Sequence, residues 1–518
     1  MDTSPFFISF FYFPVIFFLG RYFSISYIYS FFKDTLYLKI LLFTFKESFL
    51  SAFLSLVLAL PGAYLVGRTN FIGKQTFLSL SLVSFIMPGI SVSLGFVLLF
   101  GKNGIFNSLL GIDIPILYTF WAIILAHIFY NFALCVKIIG SQWEGYPLSY
   151  EEEARIQGAT SFQIFYFVDL PYLFPSILSA FLIVFIYSFM SFAVVLVLGG
   201  VRYVTLEVEI YMYLTKLINF DQAAKLAWIQ FLILLFLTYL LLLTKKGFTF
   251  EYGKELINEK KFPLWGYFYL LGVILIIFVP MFSMFMGGFW DFINQRITLL
   301  WFKNLFSQRI NPYIGIPLLV PILNTLKYAL YTGILSLFII IVGSFYAVFG
   351  DRYRSIFSLI LISSLFISPI TFAFSYIYLG NWITIPIRIL IIIAHTIIAL
   401  PIGMQIFFEG RRSIPSSIRD AAFVDGAGVF KTFIFVELPI LIPYLISTLT
   451  ISMAISMGEV GATLLLYDVP QNATIPVAMV RLLSARRLGE AQAFSSLLFV
   501  FAFLLFLFTD FFLRKRLE

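Results

Sequence analysis

The chain has 518 residues, of which 61% are hydrophobic and only 12% are charged. A water-soluble globule of this size needs more polar surface, so the composition excludes a soluble protein and indicates one that lies in a bilayer. The net charge is +8, but the lysines and arginines fall at the ends of apolar segments, where membrane topology explains them better than nucleic-acid binding. A single cysteine, Cys135, excludes a disulfide framework.

Long apolar segments follow one another along the whole chain. A spanning helix needs roughly 20 mostly apolar residues, whereas barrel strands alternate polar and apolar residues over about 10. Stretches such as 181–198 and 229–243 are apolar on every side, which predicts an all-α polytopic membrane protein with about 12 transmembrane helices. We predict spans near residues 6–30, 38–66, 76–100, 117–140, 172–198, 224–244, 264–287, 320–349, 356–379, 385–408, 440–466 and 492–513.

The basic residues predict the orientation of these spans. No Lys or Arg precedes Arg21 and no small-residue cleavage site follows the first apolar run, so we expect a retained first helix and not a cleaved signal peptide. Placing the N-terminus inside puts most basic clusters on the cytoplasmic face, as the positive-inside rule requires, and leaves the C-terminus there too. The basic residues on that face include Arg68, Lys74, Lys245, Lys246, Lys254, Lys260, Lys261, Arg352, Arg354, Arg411, Arg412, Arg419, Arg514, Lys515 and Arg516.

The sequence repeats itself internally. The segment that begins at Gly158 matches the segment that begins at Gly426, and the two histidines, His127 and His395, are the same distance apart along the chain as these two glycines. An even number of spans in each copy keeps both copies in the same orientation. We therefore predict two tandem parallel repeats that meet in a basic linker, over residues 1–262 and 263–518.

Each repeat contains one unusually polar loop, near 149–171 in the first copy and near 416–439 in the second. Both loops carry an acid, then Ala, then Gly four residues after that Ala, then Phe and a closing acid-Leu-Pro. This pattern predicts a short helix with small residues on one face, ended by Gly and followed by an amphipathic stretch that leads into the next span. The residues are Glu152, Glu153, Ala154 and Gly158 in the first copy and Asp420, Ala421, Ala422 and Gly426 in the second.

These loops resemble the EAA motif of ABC importer permeases, in which an acid and two alanines are followed by Gly. The second copy matches the motif, whereas Glu153 replaces one alanine in the first copy. In that family the loop is a coupling helix that docks into a cleft of the ATPase subunit, so the resemblance implies the same role here. Because of Glu153, we expect the two copies to dock unequally.

The resemblance extends over almost the whole chain. The stretches that begin at Leu99, Ile123, Ser191, Thr205 and Ser456 look like the fused double-repeat permeases of the thiamine and ferric iron importers. This resemblance implies a MetI-like permease of the bacterial inner membrane, with one of these two compounds as substrate. It also implies two copies of a cytoplasmic ATPase subunit and one extracytoplasmic substrate-binding protein as partners.

Several polar residues fall inside the predicted spans, where a charged group costs at least about 2.5 kcal/mol on insertion scales. Glu459 lies between Gly458 and Gly461, and its counterpart in the first repeat is Ser191. A carboxylate there is a candidate for lining or gating a pore, and a purely structural buried acid is the alternative. The candidates for pore or gate residues are Ser188, Ser191, Ser456 and Glu459.

The histidines and Glu47 have simpler interpretations. Two histidines without a carboxylate cluster are too few for an iron site, so we expect no metal. We interpret His127 and His395 as packing or interhelical hydrogen-bonding residues. Lys46 and Glu47 are expected near the outer end of the second span, with their charged ends reaching the surface.

Other functions have distinct signatures. The Walker A pattern needs G-x-x-x-x-G-K-[ST], and the nearest approach, from Gly67 to Gln75, has the wrong spacing and no hydroxyl after Lys74. ATP hydrolysis is therefore expected on a separate subunit, and neither catalysis nor a cofactor is expected here. The alternative is a secondary active transporter driven by an ion gradient, which would also have repeats and intramembrane acids but needs no paired coupling loops.

Overall fold

The computed structural model describes residues 13–18, 20–22, 29, 31–102, 104–111, 114–147, 149–245, 261–291, 294, 296–346, 365–380 and 385–514. Within these residues ten helices are long and apolar enough to cross a membrane, and they correspond to ten of the predicted spans. The two remaining predicted spans, 6–30 and 356–379, run partly outside the described residues. The predicted class, an all-α polytopic membrane protein, is confirmed.

The first half of the chain, up to residue 245, packs around its longest helix, α1 (Thr35–Arg68). The Asp34 carboxylate caps this helix by accepting a hydrogen bond from the Leu36 amide at 2.8 Å. The helices that follow are α2 (Lys74–Ile86), α3 (Gly89–Phe100), α4 (Ile105–Leu110), α5 (Phe120–Glu144), α6 (Ser149–Ile156), α7 (Ser161–Ile164), α8 (Leu170–Phe189), α9 (Ala193–Leu198), α10 (Leu206–Thr215) and α11 (Phe220–Lys245). Helix α1 lies along α5 and α8.

The second half, from residue 261, packs around one long helix, Leu438–Gly458. The elements are α12 (Leu264–Met286), the antiparallel pair β1 (Trp290–Asp291) and β2 (Arg296–Ile297), α13 (Leu300–Leu305), α14 (Leu319–Tyr346), α15 (Pro369–Leu379), α16 (Ile387–Arg412), α17 (Ser416–Val424), α18 (Val429–Thr432), α19 (Leu438–Gly458), α20 (Gly461–Leu466), α21 (Ile475–Ser484) and α22 (Leu488–Arg514). Helix α19 packs against α14, α16 and α22, while α12 and α22 both contact α3 of the first half.

The same series of elements occurs twice at the offset that the sequence repeat predicts. Helices α7, α8 and α9 of the first half precede α18, α19 and α20 of the second by the spacing that separates Gly158 from Gly426. In both halves a π-helical turn, Phe165–Asp169 or Phe433–Glu437, joins the short helix to the long one. Because π-turns are rare, their recurrence at one offset indicates that the repeated sequence specifies the same backbone twice.

Three predicted spans are interrupted where the sequence analysis expected continuous helices. The span predicted over 76–100 is divided between α2 and α3, because Pro88 lacks an amide hydrogen and holds Met87 in an extended conformation, with ψ of 139°. The span predicted over 172–198 is interrupted between α8 and α9. The span predicted over 440–466 is interrupted at Glu459, which has ψ of 124°.

Apolar side chains cover the outside of the helix bundle as well as its core. On α12 the side chains of Phe268, Leu275 and Phe278 are all more than half exposed. Backbone hydrogen bonds within each helix allow such a surface to face hydrocarbon. The chain is therefore a multi-pass membrane protein in contact with a lipid bilayer.

Candidate functional site

The first polar loop presents acids on an exposed helix. Glu152 and Glu153 of α6 are exposed, whereas Ala154 is half-buried. The Ala159 amide donates to the Ala154 carbonyl at 3.0 Å, and this closes the end of the helix. Gly158 has a φ of +84°, a left-handed conformation that favours glycine although the space around its Cα is open.

The second polar loop has the same backbone. Asp420 and Ala421 of α17 are exposed and Ala422 is buried. The Ala427 amide donates to the Ala422 carbonyl at 2.9 Å, and Gly426 has a φ of +82°. The predicted short helix ended by glycine is thus confirmed in both copies. Glu153 occupies the exposed position that Ala421 occupies in the second copy, so it changes the loop's surface and not its packing.

A buried ion pair joins the first loop to the end of α1. Arg68 Nη2 lies 2.7 Å from Glu151 Oε1 and Arg68 Nη1 donates to the Tyr146 carbonyl at 2.9 Å. The sequence analysis missed Glu151, although it is the first of three consecutive glutamates. Successive residues of a helix point in different directions, so three adjacent acids on a short helix could not all face solvent equally.

The second loop is joined to its span by the opposite arrangement of charges. Glu437, in the π-turn, accepts hydrogen bonds from Arg419 Nε at 2.7 Å and from Arg411 Nε at 3.1 Å. Arg419 immediately precedes Asp420 as Glu151 precedes Glu152, so a base on α17 replaces an acid on α6 at the equivalent position. We call these two sets of contacts the loop anchors. Both connect an exposed loop rigidly to buried helices.

His127 lies at the centre of a buried polar network in the first half. One ring nitrogen, Nδ1, contacts the Glu47 carboxylate, and the other, Nε2, lies 2.8 Å from Ser191 Oγ. Ser51 donates to Glu47 at 2.8 Å. The prediction that Glu47 reaches the surface is therefore wrong: its side chain is fully buried, because α1 turns this residue towards α5, while Lys46 is exposed.

His395 has an equivalent network in the second half. Its ring nitrogens lie 2.7 Å from Ser456 Oγ and 2.6 Å from Thr463 Oγ1. The Glu459 carboxylate lies 3.5 Å from His395 Nε2 and accepts the amides of Ala462 and Thr463, at 2.9 and 3.1 Å, which caps α20. The interhelical hydrogen bonds that we predicted for both histidines are confirmed.

The two networks differ in where the carboxylate originates. In the first half it comes from Glu47 on α1, and in the second from Glu459 at the break before α20. Ser191 stands at the position equivalent to Glu459 and contacts His127. Ser188 instead accepts a hydrogen bond from Asn131 Nδ2, with 3.4 Å between the two atoms. In the described part of the chain, no three His, Cys, Asp or Glu side chains gather where a metal ion could bind.

The interruptions in the spans meet between the two halves. A Cβ atom placed on Gly458 would lie 3.1 Å from the Cα of Pro88. A Cβ atom on Gly461 would lie 3.4 Å from Ile370 Cγ1 and 3.5 Å from Phe192 Cδ1. The absence of a side chain at Gly458 therefore allows two chain breaks to approach closely, and a Cβ atom there would fit only with a small shift of Pro88. In membrane proteins, interrupted helices occur where polar solutes bind or pass.

Comparison with known proteins finds a family model that matches part of the chain. Residues 59–245 match the family described as binding-protein-dependent transport system inner membrane component. The matched region runs from the later part of α1 to the end of α11, so it includes the first polar loop, the first loop anchor and His127.

Individual relatives are similar over different lengths. The chain is 28% identical to the ferric transport system permease protein FbpB of Actinobacillus pleuropneumoniae over 494 residues, which is 89% of this chain and 70% of the relative. It is 30% identical to the thiamine transport system permease protein ThiP of Escherichia coli over 203 residues, 38% of each chain. The ThiP protein of Haemophilus influenzae is 29% identical over 213 residues, 40% of each chain.

Proposed function

We propose that this chain is a permease subunit that forms the whole translocation pathway of an ABC importer, since residues 59–245 match the family of binding-protein-dependent transport system inner membrane components and its relatives include ferric and thiamine permeases. Two permease repeats, residues 1–262 and 263–518, make the pathway as a pseudo-dimer within one chain. One observation carries the proposal. An exposed loop, a π-turn and an interrupted long helix occur in both halves, in the same order and at one constant offset.

The exposed loops are the docking sites for separate ATPase subunits. Glu152, Glu153 and Asp420 present negative charge to a partner surface, and the small residues beside them permit close approach. An even number of spans separates the two loops, which brings both to the cytoplasmic face. Each loop binds one copy of the ATPase, so the complex contains two copies. With both loops in the cytoplasm, both termini also lie there, and the membrane is the inner membrane of a bacterium.

The loop anchors carry movement from the ATPases into the membrane. Arg68 ties α6 to the end of α1, and Glu437 ties α17 to the start of α19. Separating the partners of a buried ion pair leaves buried charges without compensation, which is costly. Such pairs therefore hold the elements that they connect in a defined geometry. When the ATPases close, both loops move together and the anchored spans tilt with them.

The interrupted helices form the gate. The close approach of the break at Pro88 to Gly458 and of the break near Phe192 to Gly461 supports a gate between the halves. Ser191, Ser188, Ser456 and Glu459 lie at or beside these breaks and are our candidates for gate residues. Tilting of the anchored spans separates the breaks and opens the pathway to the other side.

The substrate is thiamine or ferric iron. These are the compounds that the printed names of the relatives mention. Both carry positive charge, and an extracytoplasmic substrate-binding protein delivers them to the outer side of the gate. Selection between them belongs largely to that binding protein.

Reconstitution tests this function. The permease is incorporated into liposomes with its candidate ATPase, and ATP hydrolysis is measured with a binding protein loaded with thiamine or with ferric iron. We expect hydrolysis and uptake to rise with one of the loaded proteins. Uptake that follows a proton or sodium gradient and ignores ATP would contradict the proposal and favour a secondary active transporter.

A further inference from the structure

Glu207 differs from every other buried glutamate in the described residues. It lies on α10 with a fully buried side chain, and its partners are neutral: Gln230 Nε2 donates to it at 2.6 Å and the Ile370 amide at 3.4 Å. The other buried glutamates of this part of the chain each have a basic side chain within 4.0 Å, and they are Glu47, Glu151, Glu437, Glu459 and Glu490.

The partners of Glu207 come from both halves of the chain. Gln230 belongs to α11, the last span of the first half, whereas Ile370 opens α15 of the second half. Helix α15 also contacts α20, which follows the break at Glu459. Ile370 also lies against Gly461, since a Cβ atom placed on Gly461 would be 3.4 Å from Ile370 Cγ1. Glu207 therefore sits where the halves meet, beside the gate.

Two buried oxygen atoms, one on a hydrogen-bond partner of Glu207 and one on a residue two positions before it in the chain, lack hydrogen-bond partners. Gln230 directs its amide nitrogen to the carboxylate, and its own carbonyl oxygen, Oε1, is buried without a donor. Thr205 is the N-cap residue of α10, and its hydroxyl is also buried without a partner. Leaving buried polar atoms unsatisfied costs about 1–3 kcal/mol each, so native proteins retain few of them. The Glu207 carboxylate and the neighbouring Gln230 Oε1 are both oxygen acceptors, which is the chemistry that a cation requires.

We propose that Glu207, together with Gln230 Oε1, is the site that recognises the positive charge of the cargo as it crosses between the halves. The inference rests on the proposed importer function. A carboxylate without a basic partner is costly inside a membrane protein, and a cation bound to it during the working cycle offsets that cost. The thiazolium ring of thiamine and a ferric ion are both positively charged. The site therefore recognises positive charge, and the binding protein selects between the two compounds.

The test compares variants in the reconstituted complex of permease, ATPase and binding protein. Glu207→Gln keeps the size and the hydrogen-bond acceptor but removes the charge, and Glu207→Asp keeps the charge. Glu209→Gln is the matched control, because Glu209 lies on the same helix and is half-buried. Uptake of thiamine and of ferric iron and hydrolysis of ATP are measured together, which gives the amount of cargo moved per ATP.

We expect Glu207→Gln to move about tenfold less cargo per ATP, while the loaded binding protein still stimulates its ATP hydrolysis. Glu207→Asp should recover most of the uptake and Glu209→Gln should match the wild type. A purely structural role for Glu207 would instead lower uptake and stimulated hydrolysis together, and that result, or unchanged uptake by Glu207→Gln, overturns the inference. If neither loaded binding protein stimulates the wild type, the importer function itself fails, and this inference fails with it.

Discussion

Arg68 and Glu151 form an ion pair that is almost completely withdrawn from solvent, with side chains 1% and 4% exposed. The pair connects the end of α1 to α6, which otherwise presents mainly exposed side chains. Since the guanidinium also binds the Tyr146 carbonyl, one side chain fixes both the start and the first turn of the loop. The stability of the loop and its contact with a partner can therefore be separated experimentally.

Glu151→Ala should destabilise the protein, whereas Glu152→Ala should not. The first substitution removes the carboxylate that is hydrogen-bonded to the buried Arg68 guanidinium, at a cost of about 3 kcal/mol. The second removes an exposed neighbour, and such changes usually stay within about 0.5 kcal/mol. Denaturant unfolding of the purified protein in detergent measures both. Equal stability of the two variants would show that the anchor does not hold the loop.

The glycines of the second loop offer a matched pair. Gly426 has a φ of +82°, while Gly428, two residues later, has a φ of −72°, and neither has a neighbour within 4 Å of an added Cβ atom. Gly426→Ala should cost about 1 kcal/mol through backbone strain alone and weaken binding of the ATPase, because the loop ends differently. Gly428→Ala should have a smaller effect on both. Pull-down of the ATPase with each variant measures the difference, and equal binding would contradict it.

A disulfide across the gate should stop transport reversibly. The Cβ position of Gly458 lies 3.3 Å from the Cβ of Pro88, close to the roughly 3.5–4.5 Å that disulfides span. The native Cys135 is buried, so it offers little competition. We expect the Pro88→Cys, Gly458→Cys double variant to lose uptake on oxidation and to regain it on reduction. Each single variant should be insensitive to oxidant; a cross-linked protein that still transports would remove these breaks from the gate.

Glu47→Ala and Lys46→Ala test the corrected position of Glu47. The first substitution removes the carboxylate that contacts His127 and Ser51, and we expect it to cost about 1–3 kcal/mol. The second changes an exposed side chain and should cost less than about 0.5 kcal/mol. Thermal unfolding in detergent measures both. Equally small effects of the two substitutions would contradict a stabilising role for the buried network around Glu47.

The features predicted correctly from the sequence are those that local sequence determines. The helix before Gly158 and its copy before Gly426 follow from the position of a residue that tolerates a positive φ. The hydrogen bonds of His127 follow from a general rule, because a polar group at bilayer depth needs a partner on a neighbouring helix.

The features that were missed depend on contacts between distant residues. Arg68 and Glu151 are 83 positions apart, and no periodicity indicates their pairing. Glu47 was misplaced because the apolar pattern locates a span but does not say which side of the helix faces a neighbour. The interruption at Glu459 was missed because the segment is apolar enough overall to be read as one span, although Gly458 and Gly461 weaken the helix there and the carboxylate caps the start of α20.

The paired π-turns, Phe165–Asp169 and Phe433–Glu437, indicate the order in which features of the two halves arose. A π-turn corresponds to one extra residue in a helix and rotates everything after it by about 100°. Two independent insertions at the same place are less economical than one insertion in an ancestor with a single repeat. The turn is then older than the duplication, and the exchange of Glu151 for Arg419 is younger, so the copies diverged in charge while keeping their inherited geometry.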